Sequence, residues 1–199
     1  MGAKKMSNAG QVAVIRKLTD VLDDLQIEYA IGGSIASSLY GTVRFTQDAD
    51  ITVKEFRGVA QKLYERLKDE FYLSREAMLG ALDSCGSFNA VHLETSFKID
   101  MFIQGQSEFD KQFLARCKRL SLSDSEEKTF CVVSPEDVVL LKLRWYAGSD
   151  CVSDRQWQDI LGVLKVQAES VDFKYMKKWS RELGVDQLLQ RAISESKEK

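Results

Sequence analysis

The sequence predicts an α+β fold, with an α/β portion over residues 8–133 and a helical region over residues 134–199. Two observations carry this. Up to Val133, apolar runs of strand length alternate with longer runs of helical period. From Pro135 onward only helical patterning remains.

Residues 1–7 read as a loose start. From Gln11 to Leu25, the apolar positions Val12, Ile15, Leu18, Val21, Leu22 and Leu25 recur at helical spacing. Glu28 to Ile31 reads as a short strand ended by Gly32-Gly33, and Ser34 to Tyr40 as a helix with Ser34 near its N-cap. Asp50 to Val53 is the next strand, and Phe56 to Lys68 a helix with Val59, Leu63 and Leu67 on one face. A short helix over Ser74 to Leu82 precedes two strands, Ser87 to Leu93 and Phe97 to Ile103, around the turn Glu94-Thr95-Ser96. Phe109 to Arg119 is predicted helical and Lys128 to Val133 a last strand. Ser134-Pro135-Glu136-Asp137 then has the form of a helix start: a cap, a proline in the first turn, and acids at the positive end of the dipole. Four helices follow, at Val138 to Tyr146, Asp154 to Gln167, Phe173 to Leu183 and Val185 to Ser194, with the last six residues frayed.

Composition narrows the function classes. A hydrophobic content of 44% permits a packed core, and a net charge of -2 gives no global basic field for nucleic acid, although a local patch is compatible with it. No apolar run approaches the roughly 20 residues of a membrane span, and the N-terminus lacks the apolar segment of a signal peptide. Four scattered cysteines without a C-x-x-C pair and a single histidine, His92, make a zinc site a poor fit. The expectation is a soluble protein of the reducing cytoplasm.

The chemistry-bearing residues cluster between Ile31 and Val53. Gly32-Gly33-Ser34 joins a strand to a helix start, where backbone N–H groups and a hydroxyl suit a phosphate; an ordinary tight turn is the alternative. Asp48 and Asp50 stand at i and i+2, so a strand points both carboxylates to one face, where they repel unless a cation lies between them. Asp100 lies in a second core-seeking strand, sharing a face with Lys98 and Phe102. Its desolvation calls for a partner, either a metal or a basic side chain such as Lys98. Arg44 and Thr46 precede the acid pair and could contact phosphate, prearrange the carboxylates, or in the case of Arg44 balance their charge. Lys142 and Arg144 sit in the apolar helical run Leu140 to Tyr146, where each head group needs an anion, from a triphosphate or from surface carboxylates. Asp159 follows Arg155 by four residues and could meet Lys142, a ribose or Arg155. His92 reads as a structural histidine, and Trp145, Trp157 and Trp179 as helix-packing residues, with base-stacking platforms as the alternative. The basic run Lys174 to Arg181 could follow an RNA backbone or form a solvated helix face.

Taken together, Gly32-Gly33-Ser34, Arg44-Phe45-Thr46-Gln47-Asp48-Ala49-Asp50 and Asp100 resemble the nucleotidyltransferase superfamily pattern. With Ser134-Pro135-Glu136-Asp137 and Lys142 added, the chain is similar to the minimal AbiEii-type, toxin-like nucleotidyltransferases over roughly residues 27–164. The resemblance implies a mixed β-sheet flanked by helices and followed by a C-terminal helical bundle. It implies Asp48 and Asp50 as Mg²⁺ ligands and Asp100 as third ligand or base. Gly33 and Ser34, beside Gly32, would hold an NTP, with Lys142 and Asp159 as later nucleotide-site residues. The implied reaction moves a nucleoside monophosphate from NTP to a hydroxyl of RNA such as tRNA, or of protein, releasing pyrophosphate; an antitoxin-like partner is implied for toxin-type members. A small-molecule acceptor such as an aminoglycoside, and a non-catalytic nucleotide- or partner-binding module, are the competing readings.

Overall fold

A computed structural model describes residues 8–122 and 128–198. The loose start expected at residues 1–7 lies outside them. Helix α1 (Asn8–Asp24) leads into β1 (Tyr29–Ile31), α2 (Gly33–Tyr40) and β2 (Asp48–Val53). A 3-10 turn (Arg57–Val59) runs into α3 (Ala60–Leu67), so the predicted helix 56–68 begins tightly wound and shorter. Then come β3 (Phe71–Tyr72), α4 (Arg75–Ser84), β4 (Ser87–His92), β5 (Lys98–Ile103), α5 (Glu108–Ala115), β6 (Lys118–Leu120) and β7 (Phe130–Val132). Helices α6 (Pro135–Gly148), α7 (Asp154–Val166), α8 (Phe173–Glu182) and α9 (Asp186–Glu198) complete the chain.

The strands form one mixed sheet in the order β3-β4-β5-β2-β1-β7-β6. β2 pairs parallel with β5 and antiparallel with β1, and β1 pairs parallel with β7. Tyr29, Ala30 and Ile31 are all buried, as a central strand covered on both faces requires. β2 and β5 instead alternate strictly. Ala49, Ile51, Val53, Ile99, Met101 and Ile103 bury one face, where α4 packs on β4 and β5. The opposite face carries Asp48, Asp50, Lys98, Asp100 and Phe102, all partly exposed.

Two edge strands escape the sequence reading. β3 has two residues, and β6, Lys118-Arg119-Leu120, falls where a helix was expected to continue. Edges this short, β6 also charged, resist further pairing but carry no alternating apolar signature.

The helical residues share the core of the α/β part: Val139, Leu143, Ile160 and Val163 join Ile31, Ala36 and Val132 in one continuous cluster. The start of α6 follows its sequence signature, with Ser134 Oγ accepting the Asp137 N–H and Pro135 in the first turn. Its two acids do more than meet a dipole. Asp137 accepts the Tyr175 hydroxyl at 2.7 Å and Glu136 accepts the Asp172 N–H at 3.0 Å, which ties α8 to α6. The expected fraying from Ser194 is not found in 194–198: α9 continues to Glu198, held by Trp157 Nε1 donating to Glu195 at 2.7 Å. His92 is buried, with Nδ1 2.9 Å from Thr95 Oγ1 and its ring against Phe71, the structural role expected. Among the described residues no helix is long and apolar enough to cross a membrane.

Candidate active site

Parallel pairing sets the carboxylates side by side. Asp50 of β2 lies opposite Asp100 of β5, and Asp48 opposite Lys98. Since opposed residues share a face, Asp48, Asp50 and Asp100 all point to the open side of the sheet; the spacing predicts this for Asp48 and Asp50, and the register adds Asp100. Thr46 Oγ1 donates to Asp48 Oδ1 at 2.8 Å, and Lys98 Nζ lies 2.7 Å from Asp100 Oδ2. The Thr46 carbonyl is fixed in turn by buried Gln11 of α1, at 2.6 Å, a support that nothing near the acid pair announces.

Asp50 also closes the end of α2. The N-cap position is Gly32, not Ser34, and it contributes no side chain. The Ser34 N–H bonds Asp50 instead, while the Gly32 N–H donates to the Asp50 carbonyl at 2.8 Å. Gly33 has φ +53°, and a Cβ there would stand 1.7 Å from Asp50 Oδ2. The glycine is therefore a requirement of the carboxylate packed against it. Gly33→Ala is expected to lower stability by about 2 kcal/mol, from the left-handed backbone and the clash together, and to displace Asp50. A denaturant midpoint equal to wild type would refute the close approach.

A second layer faces these acids. Arg44 makes a two-pronged contact with Asp159 of α7, Nε and Nη2 each 2.7 Å from a carboxylate oxygen, and its Nη2 also donates to Ser34 Oγ at 2.5 Å. Lys142 of α6 donates to Asp159 at 2.8 Å and to Gln156 at 2.9 Å. Arg44 and Asp159 can meet because Gly41 and Gly162 do: a Cβ on Gly41 would lie 2.7 Å from the α7 backbone. Arg44 thus pairs directly with Asp159 and acts on Asp48 and Asp50 only through its charge, and Asp159 takes Arg44 and Lys142, not Arg155, as its partners.

Lys142 is 4% exposed, as an apolar setting predicts, but Arg144 is not buried. It is 54% exposed and its Nη1 lies 3.5 Å from Asp110. Trp145 is also no packing residue, being 62% exposed with its ring 6.4 Å from Phe102, whereas Trp157 and Trp179 are buried. The basic run forms the outer face of α8, where Lys174, Lys177, Lys178 and Arg181 line a shallow groove with Phe173 and Glu182.

The electrostatics follow from this crowding. Burial, then the charges of Asp48 and Asp100, push the Asp50 carboxyl above its ordinary range, against the pull of Lys142 and the Ser34 N–H. Burial pushes the Lys142 ammonium down, with Asp159 opposing. Asp159 sits below the usual carboxylate range, because Arg44 and Lys142 outweigh its own burial. Among the described residues no three His, Cys, Asp or Glu side chains converge as a ready cation site. The donor set still fits Mg²⁺, which takes one or two carboxylates and completes its shell with phosphate oxygens and water. Asp48 and Asp50 are such a pair, and their mutual repulsion is what a cation would relieve.

No protein-family model matches the sequence. No curated protein sequence matches it either. Solved structures do. Antibiotic-resistance factor ANT(2'')-Ia aligns over 93% of this chain and 100% of its own, at TM-score 0.59 and 16% identity. A nucleotidyltransferase-like protein from Paracoccidioides brasiliensis aligns over 92% of this chain and 90% of its own, at TM-score 0.57 and 17% identity. Lincosamide antibiotic adenylyltransferase LnuA, solved with lincomycin bound, aligns over 76% and 95%, at TM-score 0.51 and 14% identity. The chain has the nucleotidyltransferase fold.

Proposed function

We propose that this protein is a Mg²⁺-dependent nucleotidyltransferase that moves a nucleoside monophosphate from an NTP to a hydroxyl acceptor and releases pyrophosphate. The observation that carries the reading is the register that sets Asp50 beside Asp100, with Asp48 on the same face, at the N-terminus of α2. Asp48 and Asp50 would hold the ion, with Asp100 as a third ligand or as base. A bound cation supplies neutralisation of the triphosphate and of the charge developing at the α-phosphorus.

The chain's own residues do the rest. Gly33 and Ser34 present the start of α2 to the triphosphate. Lys142 and Arg44, held together by Asp159, offer two cations to its phosphates. Asp100 takes the proton of the attacking hydroxyl as the new O–P bond forms and the bond to pyrophosphate breaks. We place the reaction in the cytoplasm, consistent with four free cysteines. From the resemblance to the AbiEii-type enzymes we take RNA, tRNA in particular, or protein as acceptor, with an antitoxin-like partner as regulator; the motifs themselves name no substrate. The antibiotic-modifying enzymes of the same fold, one solved with adenylyl-2''-tobramycin, support a small-molecule acceptor as the second reading.

The test supplies each α-labelled NTP with Mg²⁺ to total tRNA, to the protein itself, and to tobramycin and lincomycin. Label is expected in one acceptor class and lost with chelator. No label in any, together with no Mg²⁺·NTP thermal stabilisation, would reject the enzyme; saturation at about a hundredfold over Kd should add about 2.7 kcal/mol.

A further inference from the structure

We propose that Trp145 and Phe102 form the acceptor subsite, seating the sugar ring that carries the attacking hydroxyl. The inference rests on the nucleotidyltransferase reading and assigns the half of the site that the metal and phosphate residues leave open.

The sheet order decides the direction. α2, which follows β1, would hold the leaving phosphates; β2 lies next to β1, and β5 lies beyond β2. In-line displacement puts attacking and leaving oxygens on opposite sides of the phosphorus. With pyrophosphate toward α2, the hydroxyl arrives from the β5 side, beside Asp100. The body of the acceptor then lies further along the same open face.

Two aromatic rings border that place, set along the strand from Asp100 on the same face. Phe102 follows Asp100 by two residues on the same face, about 7 Å along the strand. Trp145 stands one turn beyond Lys142 on α6, so the helix that supplies a phosphate cation also carries the indole toward β5. The rings meet edge to face, with centroids 6.4 Å apart and planes at 69°. Trp145 is 62% exposed while Trp157 and Trp179 are 6% and 8% exposed. A rigid indole left in water beside a catalytic face offers a flat apolar surface at little cost in side-chain entropy.

The neighbours supply polar contacts. Asn89 of β4 is exposed and lies opposite Asp100, and exposed Ser87 lies opposite Phe102. Both therefore share the open face with the rings. A flat apolar platform bordered by a neutral amide, a hydroxyl and a carboxylate suits a ring with an apolar face and hydroxyl edges. Such a ring could come from the terminal ribose of an RNA or from a free glycoside, and the chemistry of recognition is the same.

The experiment reads binding without NTP, so it stands apart from turnover. A short RNA with a free 3′ ribose, tobramycin and lincomycin are each titrated against wild type, Trp145→Phe and Trp145→Ala, with intrinsic fluorescence and calorimetry as readouts. One probe is expected to quench wild-type emission, with most of that quenching lost in both variants. Calorimetric affinity should fall about tenfold or more in Trp145→Ala and recover largely in Trp145→Phe. In the transfer assay the alanine variant should raise KM for the acceptor and leave KM for NTP in place. RNA as the binding probe assigns the ring to a nucleic-acid end; an antibiotic assigns it to a free glycoside. Equal affinity in wild type and Trp145→Ala, binding of none of the three probes, or a weakened NTP in place of a weakened acceptor would each overturn the subsite. Mg²⁺·ATP stabilisation of wild type, measured separately, reports on the nucleotidyltransferase reading whatever the probes do.

Discussion

Asp50→Asn is expected to abolish transfer and, at neutral pH in chelator, to raise the melting temperature. The two effects have one origin. Asp50 is packed between Gly33 and the neighbouring acids, and its charge is opposed by burial and by Asp48 and Asp100. Its folded-state pKa therefore lies above the ordinary value of 3.8. A carboxyl with a raised folded value favours folding at pH below its unfolded pKa, and that contribution is lost as pH rises through the raised value. At neutral pH the ionised group is thus a net cost to the cation-free fold. Asparagine keeps the shape and still accepts the Ser34 N–H, but carries no charge. Relief of that cost should raise the midpoint, at roughly 2–4 °C per kcal/mol in a chain of this size. The gain should shrink as pH falls through the raised value, where the wild-type carboxyl protonates by itself. Turnover should fall at least about a thousandfold if, as proposed, this carboxylate helps hold the ion that stabilises charge at the α-phosphorus. Calorimetry at two pH values with the labelled-NTP assay checks both. A variant that keeps substantial turnover would remove Asp50 from the metal site, and one that melts lower at neutral pH would contradict the crowding.

How much of this was legible in the sequence depended on how local each signal was. The start of α6 was fully encoded in Ser134-Pro135-Glu136-Asp137, because cap, proline and acids act within one turn. The alternation of β2 and β5 placed Asp48, Asp50 and Asp100 on one face of their strands, and pairing in register turned that pattern into a site. The closure of α2 was not legible. A glycine pair before Ser34 reads as a serine-capped helix, whereas the Ser34 N–H goes to a carboxylate on β2. Arg44 and Asp159, 115 residues apart, meet because Gly41 and Gly162 allow α2 to touch α7, and no periodicity reports such a crossing. Arg144 and Trp145 failed as buried residues for a simpler reason. A run of apolar neighbours says that a helix has a buried face, but not which of two adjacent positions turns away from it.

Asp159→Asn is expected to cause a large loss of stability. Its carboxylate is shared by buried Lys142 and by Arg44, so neutralising it strands two cations, one of them only 4% exposed. Removing one member of a buried ion pair costs about 3–5 kcal/mol, since the other charge is left desolvated without compensation. At 3 kcal/mol the melting temperature falls by roughly 6–12 °C. Asp159 also lies below the ordinary carboxylate range, so its contribution to wild-type stability is present above about 3.8 and lost as pH falls through the depressed value. The difference between wild type and variant should therefore close on acidification, the opposite trend in wild type to that set by Asp50. Two further measurements separate the network from a general packing defect. Adding Lys142→Met to Asp159→Asn removes the buried orphan charge and should recover part of the loss, a positive coupling that independent sites do not show. Mg²⁺·NTP at equal concentration should stabilise Asp159→Asn more than wild type, because the triphosphate replaces the missing anion. If ligand stabilises both equally, the phosphates do not reach Lys142 and Arg44, and the pair holds α2 and α7 together without touching the nucleotide.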